Sequence, residues 1–128
     1  MKKGEKRGER SLSKLFLFLP ILFGLLVNLN PIQNVNFDEA YPGDFIQARI
    51  NLENTLGREL KDVRLAVYGM DFSTFGITSE FDMQGKEKRT RSILLPIPNY
   101  VRPGEYTFKI SFSNDNFKDS KYRYATVK

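Results

Sequence analysis

Apolar and polar residues alternate without a break from Tyr106 to Ser113. Tyr106, Phe108, Ile110 and Phe112 fall on one side of the period; Thr107, Lys109, Ser111 and Ser113 fall on the other. A period of two sends successive side chains to opposite faces of a β-strand, so the pattern predicts one face in a core and one in water. The four apolar residues are large, which predicts that this strand supplies the centre of the core. Pro103-Gly104 opens it as a turn.

The alternation recurs along the chain. Within Phe45 to Leu52, Ile46, Ala48, Ile50 and Leu52 are predicted to face in, and Gln47, Arg49 and Asn51 out. Within Asp62 to Tyr68 the inward set is Val63, Leu65 and Val67. Lys88 to Pro98 carries Ile93, Leu95 and Ile97 on one face, while Pro96, which has no N–H to give a ladder, limits it to an edge or an end. Ile32 to Phe37 alternates weakly and reads as a first, edge strand; Gly76 to Met83 reads as a short edge strand; a last strand is expected around Lys121 to Val127. Between them stand turn signals at Pro42-Gly43, Gln84 to Glu87 and Asn114-Asp115-Asn116, and a loop at Glu53 to Glu59. About seven short strands so spaced, with no helical pattern after residue 29, predict an all-β fold: an immunoglobulin-like β-sandwich of antiparallel strands. Tyr106, just after a Pro-Gly turn at the start of the penultimate strand, fits a tyrosine corner and fits an ordinary core aromatic equally well.

The N-terminal pattern is different. Residues 1–14 hold six basic and two acidic side chains, and no charge follows from Leu15 to Phe37. A run apolar on every side, Leu15 to Val27, is unlike the striped helix of a soluble domain. The chain therefore divides into a basic cytoplasmic tail (1–14), a signal peptide or transmembrane anchor forming a hydrophobic helix (15–30), and the β domain (31–128). A basic segment before a short apolar one fits a secretory signal peptide. It also fits an anchor whose basic end stays in the cytoplasm. Asn28, Leu29, Asn30 and Pro31 offer no small-x-small cleavage site, which favours the uncleaved anchor. A pilin-like leader, suggested by Lys6-Arg7-Gly8, is disfavoured because Pro20 and Pro31 interrupt the long helix it needs.

The net charge of +5 belongs mostly to that tail: residues 15–128 contain fourteen basic and thirteen acidic side chains. A nearly neutral domain is not the basic surface expected of a nucleic-acid binder. Cysteine and histidine are both absent. That removes disulfides, thiolate and imidazole metal sites, and the usual acid/base group near neutral pH. The carboxylates fall in turns and at strand ends, with no pair set between apolar strands, so no enzyme activity, cofactor or metal is expected. Asn114, Asp115, Asn116 and Asp119 make an oxygen-rich loop, but without the spacing of a calcium loop they read as turn residues.

The candidate interaction residues are Tyr100, Tyr122 and Tyr124, with Arg89 and Arg91 as a secondary basic pair. Tyrosine offers apolar area with a polar tip, which suits protein and carbohydrate contacts. Arg89 and Arg91 alternate and are expected on a solvent face of their strand, where charge blocks edge-to-edge pairing. Phe72 and Phe75 are expected to plug an end of the sandwich, with an exposed contact patch as the alternative.

Pro42-Gly43-Asp44, Leu52-Glu53-Asn54, Asp62 to Tyr68, Gly85-Lys86-Glu87, Ile93 to Pro98 and Val101 to Phe108 follow one another in an order that resembles CARDB-type (cell-adhesion-related) immunoglobulin-like domains of archaeal and bacterial surface proteins. The similarity covers roughly residues 35–128. One loop, Glu53 to Arg58, is a looser version of the family's N-x-G loop. The resemblance implies a non-enzymatic module of the cell envelope, acting in adhesion, surface assembly or protein–protein interaction, with carbohydrate or small-ligand binding as the alternative. The apolar segment 15–30 gives the membrane as a partner, and the resemblance adds envelope or surface proteins and glycans.

Overall fold

The structure is a computed structural model that describes residues 30–128. The tail and all but the last residue of the apolar segment lie outside the described residues, as do the anchor, signal-peptide and pilin expectations that rest on them. Among the described residues no helix is long and apolar enough to cross a membrane.

Eight strands follow in order: β1 (Ile32–Phe37), β2 (Phe45–Glu53), β3 (Leu60–Gly69), β4 (Thr74–Ile77), β5 (Phe81–Met83), β6 (Lys88–Pro96), β7 (Gly104–Asn114) and β8 (Phe117–Val127). They form two sheets. The smaller runs β1-β2-β6; the larger runs β4-β3-β7-β8, with β5 also on β3. All ladders are antiparallel, and one isolated parallel bridge, Ala40 to Val127, joins the ends of the two sheets.

The alternating strands bury the faces their sequence specifies. Ile46, Ala48, Ile50 and Leu52 of β2 meet Val63, Leu65 and Val67 of β3 in one core with Ile93, Leu95 and Ile97. Phe108, Ile110 and Phe112 of β7 are fully buried, and β7 is bonded on both sides, to β3 and to β8. The strand with the largest apolar residues is thus central in the larger sheet. Full burial of each such side chain is worth ~1.5–3 kcal/mol. Phe37 of β1 stacks on Phe108 at 4.9 Å and ties the two sheets together.

The turns act as their chemistry dictates. The Asp44 amide donates to the Tyr41 carbonyl at 3.0 Å, and Gly43 takes φ 87°. This is a type II turn, whose third position needs positive φ. The Asn114 carboxamide accepts from the Asn116 amide at 3.0 Å, closing the β7–β8 hairpin. Pro96 ends β6, which is an edge strand. The Tyr106 hydroxyl donates to the Arg102 carbonyl at 2.6 Å, four residues upstream, so the tyrosine corner forms.

Two boundaries differ from the sequence reading. The stretch Gly76 to Met83 is two strands on one partner: the β4 ladder ends at Ile77, and β5 pairs further along β3, across a bulge between Leu60 and Val63 with Asp62 at φ 57°. The Asp62 amide turns to the Asp82 carboxylate, and Thr78 takes both backbone groups of the ladder at Leu65. The last strand begins at Phe117 rather than near Lys121. Its first residues lack apolar alternation, and continuous backbone pairing to β7 holds them.

Candidate interaction surface

Register assembles a surface on the outer face of the larger sheet. Residues opposite each other in an antiparallel ladder share a face. Phe75 pairs with Tyr68, Tyr68 with Lys109 and Lys109 with Tyr122, which makes one continuous row across four strands. The next row toward the β7–β8 turn is Ile77, Ala66, Ser111 and Ser120; beyond it come Arg64, Ser113 and Lys118. On the other side Thr107 faces Tyr124. The large members are open to solvent: Ile77 is 66% exposed, Phe75 59%, Tyr122 51%, Tyr124 74% and Tyr68 40%. Tyr68 and Phe75 lie side by side, ring centroids 6.2 Å apart.

The smaller sheet shows a different outer face. Asn34 and Asn36 of β1, Gln47, Arg49 and Asn51 of β2 and Lys88, Thr90 and Ser92 of β6 share it, with Phe45, Leu94 and Pro96 at one end. An alternating strand normally turns polar residues to water, as this sheet does. Concentrated apolar and aromatic area on a solvent face marks an interaction surface.

Tyr122 and Tyr124 belong to the aromatic face. Tyr100 is exposed but lies apart, in the loop after β6 beside Phe72, Arg102 and Tyr106. Sequence reasoning missed Tyr68 and Ile77, and ranked a contact role for Phe75 second to plugging the sandwich. The signal was present: Tyr68 falls out of phase with Val63, Leu65 and Val67, so alternation alone turns it outward. Phe72 and Phe75 separate. Phe72 is buried, edge-to-face on Tyr106 and Phe108, and plugs one end of the core; Phe75 joins the outer face instead.

Arg89 and Arg91 do not form a solvent-facing basic pair. They share the inward face of β6 with Ile93 and Leu95, opposite Leu52 and Ile50, and are half-buried. Both guanidinium groups lie over the Phe81 ring, Arg91 at 4.4 Å and Arg89 at 5.2 Å. The cation–π contact lets charge occupy core-facing positions where the hydrophobic core ends. Arg89 also pairs with Glu87. The Glu87 carboxylate accepts the Gln84 amide at 2.7 Å. That bond and then Arg89 hold its pKa below the ordinary carboxylate value.

Beneath this edge, Asn54 is fully buried. Its amide nitrogen donates to the carbonyls of Arg58, Met83 and Gln84, and its oxygen accepts from the Leu56 amide. One side chain thereby joins the loop after β2 to the turn before β6. Gly85 sits so close to Gly57 that a Cβ would lie 2.7 Å from its carbonyl carbon.

Charge on the aromatic face is mainly positive. Its rows carry Arg64, Lys109 and Lys118, and Glu105, opposite Thr126 in the row beyond Thr107 and Tyr124, is the one carboxylate on that face of β7 and β8. Arg64 is engaged from the rim by Glu80 at 2.7 Å and Asp115 at 3.6 Å. Lys109 and Lys118 make no ion pair among the described residues. The face thus offers flat rings, hydroxyl groups and two available cations. Among the described residues no three acidic side chains gather to hold a metal ion.

No protein-family model matches the chain, and no curated protein matches it. Among solved structures it is similar to a family 123 glycoside hydrolase from Clostridium perfringens that acts in glycolipid glycan hydrolysis, with a TM-score of 0.51 and 12% identity. The match covers 70% of this chain and 22% of the hydrolase. At that identity the likeness concerns the β architecture alone.

Proposed function

We propose that this chain is a non-enzymatic immunoglobulin-like β-sandwich of the CARDB type that works by contact, through the outer face of its larger sheet. The row Phe75–Tyr68–Lys109–Tyr122 carries the reading: four strands spend their solvent positions on aromatic rings and one cation. Two further observations support the fold. Strands β1, β2 and β6 on one sheet and β3, β4, β7 and β8 on the other follow an immunoglobulin-like order. The Tyr106 corner sits at the start of the penultimate strand, as in such domains. The basic tail and apolar segment support a module outside a membrane, either anchored or released as a secreted domain.

Protease treatment of intact cells carrying the full chain tests this placement. The β domain is cut only by protease added outside the cytoplasmic membrane. Digestion only after lysis, with the chain in the soluble cytoplasmic fraction, would overturn the reading.

A further inference from the structure

We infer that the aromatic face of the larger sheet binds an acidic polysaccharide, with Tyr68 and Tyr122 as stacking platforms and Lys109 between them as the carboxylate contact. The inference rests on the contact-module reading and adds the class of ligand.

Three features of the face select this ligand. The first is spacing. Tyr68 and Tyr122 stand on β3 and β8, two strand intervals apart, which is about 10 Å. That is about the reach of two linked sugar rings, each of which offers a flat C–H face to an aromatic ring. The second is polarity. The positions between and beside the rings are Thr107, Ser111, Ser113 and Ser120. Hydroxyls can exchange hydrogen bonds with sugar hydroxyls directly or through water. A hollow of about 180 Å³ opens over Ala66, walled by Tyr68, Ile77, Arg64 and Ser113. It combines an apolar wall with a hydroxyl-bearing rim. A protein side chain anchors best in a pocket that desolvates it fully, and this hollow is partly polar.

The third feature is charge. The rows present Lys109 and Lys118 without an acidic partner among the described residues, and Arg64 is already neutralised from the rim. A second copy placed face to face would set these lysines against each other, and like charges disfavour that pairing. A polymer bearing carboxylates supplies the missing sign.

The test uses the full chain and two polymers of matched length, polygalacturonate and neutral dextran, in a calorimetric titration. Polygalacturonate is expected to bind and dextran not, with affinity falling as salt screens the lysines. Tyr122→Ala should weaken binding about tenfold through the lost ring contact. Lys109→Glu should weaken it at least as much, while Lys88→Glu on the other sheet, the same change in net charge, should leave it intact. Unchanged thermal melting confirms that these exposed substitutions leave the fold alone. Equal losses in Lys109→Glu and Lys88→Glu would mean unspecific attraction to a polyanion and would overturn the inference. So would equal binding of dextran. If no polymer binds but a probe at position 122 captures an envelope protein, the inference fails and the contact-module reading stands. If the face captures a second copy, the inference fails likewise. If position 122 captures nothing, both fail.

Discussion

Asn54 shows how one polar side chain can hold a fold that is otherwise built from apolar strands. Its buried carboxamide serves four backbone groups from two segments. Asn54→Ala leaves those groups without it, and an unsatisfied buried polar group costs ~1–3 kcal/mol. We expect a loss of about 3 kcal/mol in urea unfolding, and no recovery in Asn54→Asp, whose carboxylate cannot donate to carbonyls. A loss below about 0.5 kcal/mol would show that water replaces the side chain. Glu87, nearby, gives a pH dependence. Its pKa is lowered in the fold by the Gln84 amide and Arg89. The folded protein therefore keeps it ionised at pH values where the unfolded chain protonates it. Its stabilisation is complete above the unfolded value and drains as pH falls through the folded one. Glu87→Gln should be less stable than the wild type near pH 7, and the two should converge as the pH falls below the lowered folded value. A gap that persists in acid would contradict the assignment. The sequence told these residues apart unevenly. Tyr106 was half legible: its adjacent cue, Pro103-Gly104, raised the corner, but an ordinary core aromatic fitted equally well. Asn54 was not legible, because what buries it is a turn some thirty positions away. Arg89 and Arg91 share odd numbering with Ile93 and Leu95, which fixes their inward face; Phe81, which makes that face tolerable, follows from no local pattern.

At the scale of elements, the two sheets meet closely where β4 crosses beside β6. A Cβ on Gly76 would lie 2.6 Å from Ile93 Cγ2 and 2.8 Å from the Leu94 carbonyl oxygen. The backbone of β6 cannot yield as a side-chain tip would. Gly76→Ala is therefore expected to lower stability by ~1–3 kcal/mol, the range for overpacking. Gly57→Ala, where nothing lies within 4 Å, should be nearly neutral. Thermal unfolding of the pair checks the contact; equal behaviour would show that β4 is free to shift. Strand existence was readable wherever alternation was strong, as in β2, β3 and β7. The split of β4 from β5 was not, because it lies where the Thr78 hydroxyl, rather than a backbone carbonyl, accepts the Leu65 amide of the partner strand. The early start of β8 was missed for a related reason: pairing with β7 carries residues whose own pattern is silent.

At the scale of the molecule, two sheets built by the same alternation differ in what they show to water. The smaller sheet is polar outside except at one end, where Phe45, Leu94 and Pro96 are exposed. The larger carries Phe75, Tyr68, Tyr122, Tyr124 and Ile77 in adjacent rows. From sequence, Tyr122 and Tyr124 were identifiable as a pair because they share one strand. Their union with Tyr68 and Phe75 required the strand order, since β3 and β8 are separated by half the domain and meet only through β7. Stability does not account for the rings, because exposed aromatic area contributes little burial energy. The proposed contact role accounts for them. The most direct measurement places a photoreactive residue at position 122 or at position 92 of the full chain and illuminates intact envelopes. Position 122, on the aromatic face, should capture envelope material in high yield, and position 92, on the polar face, should not. Capture at 92 alone, or at neither, would contradict the claim that the larger sheet is the working surface.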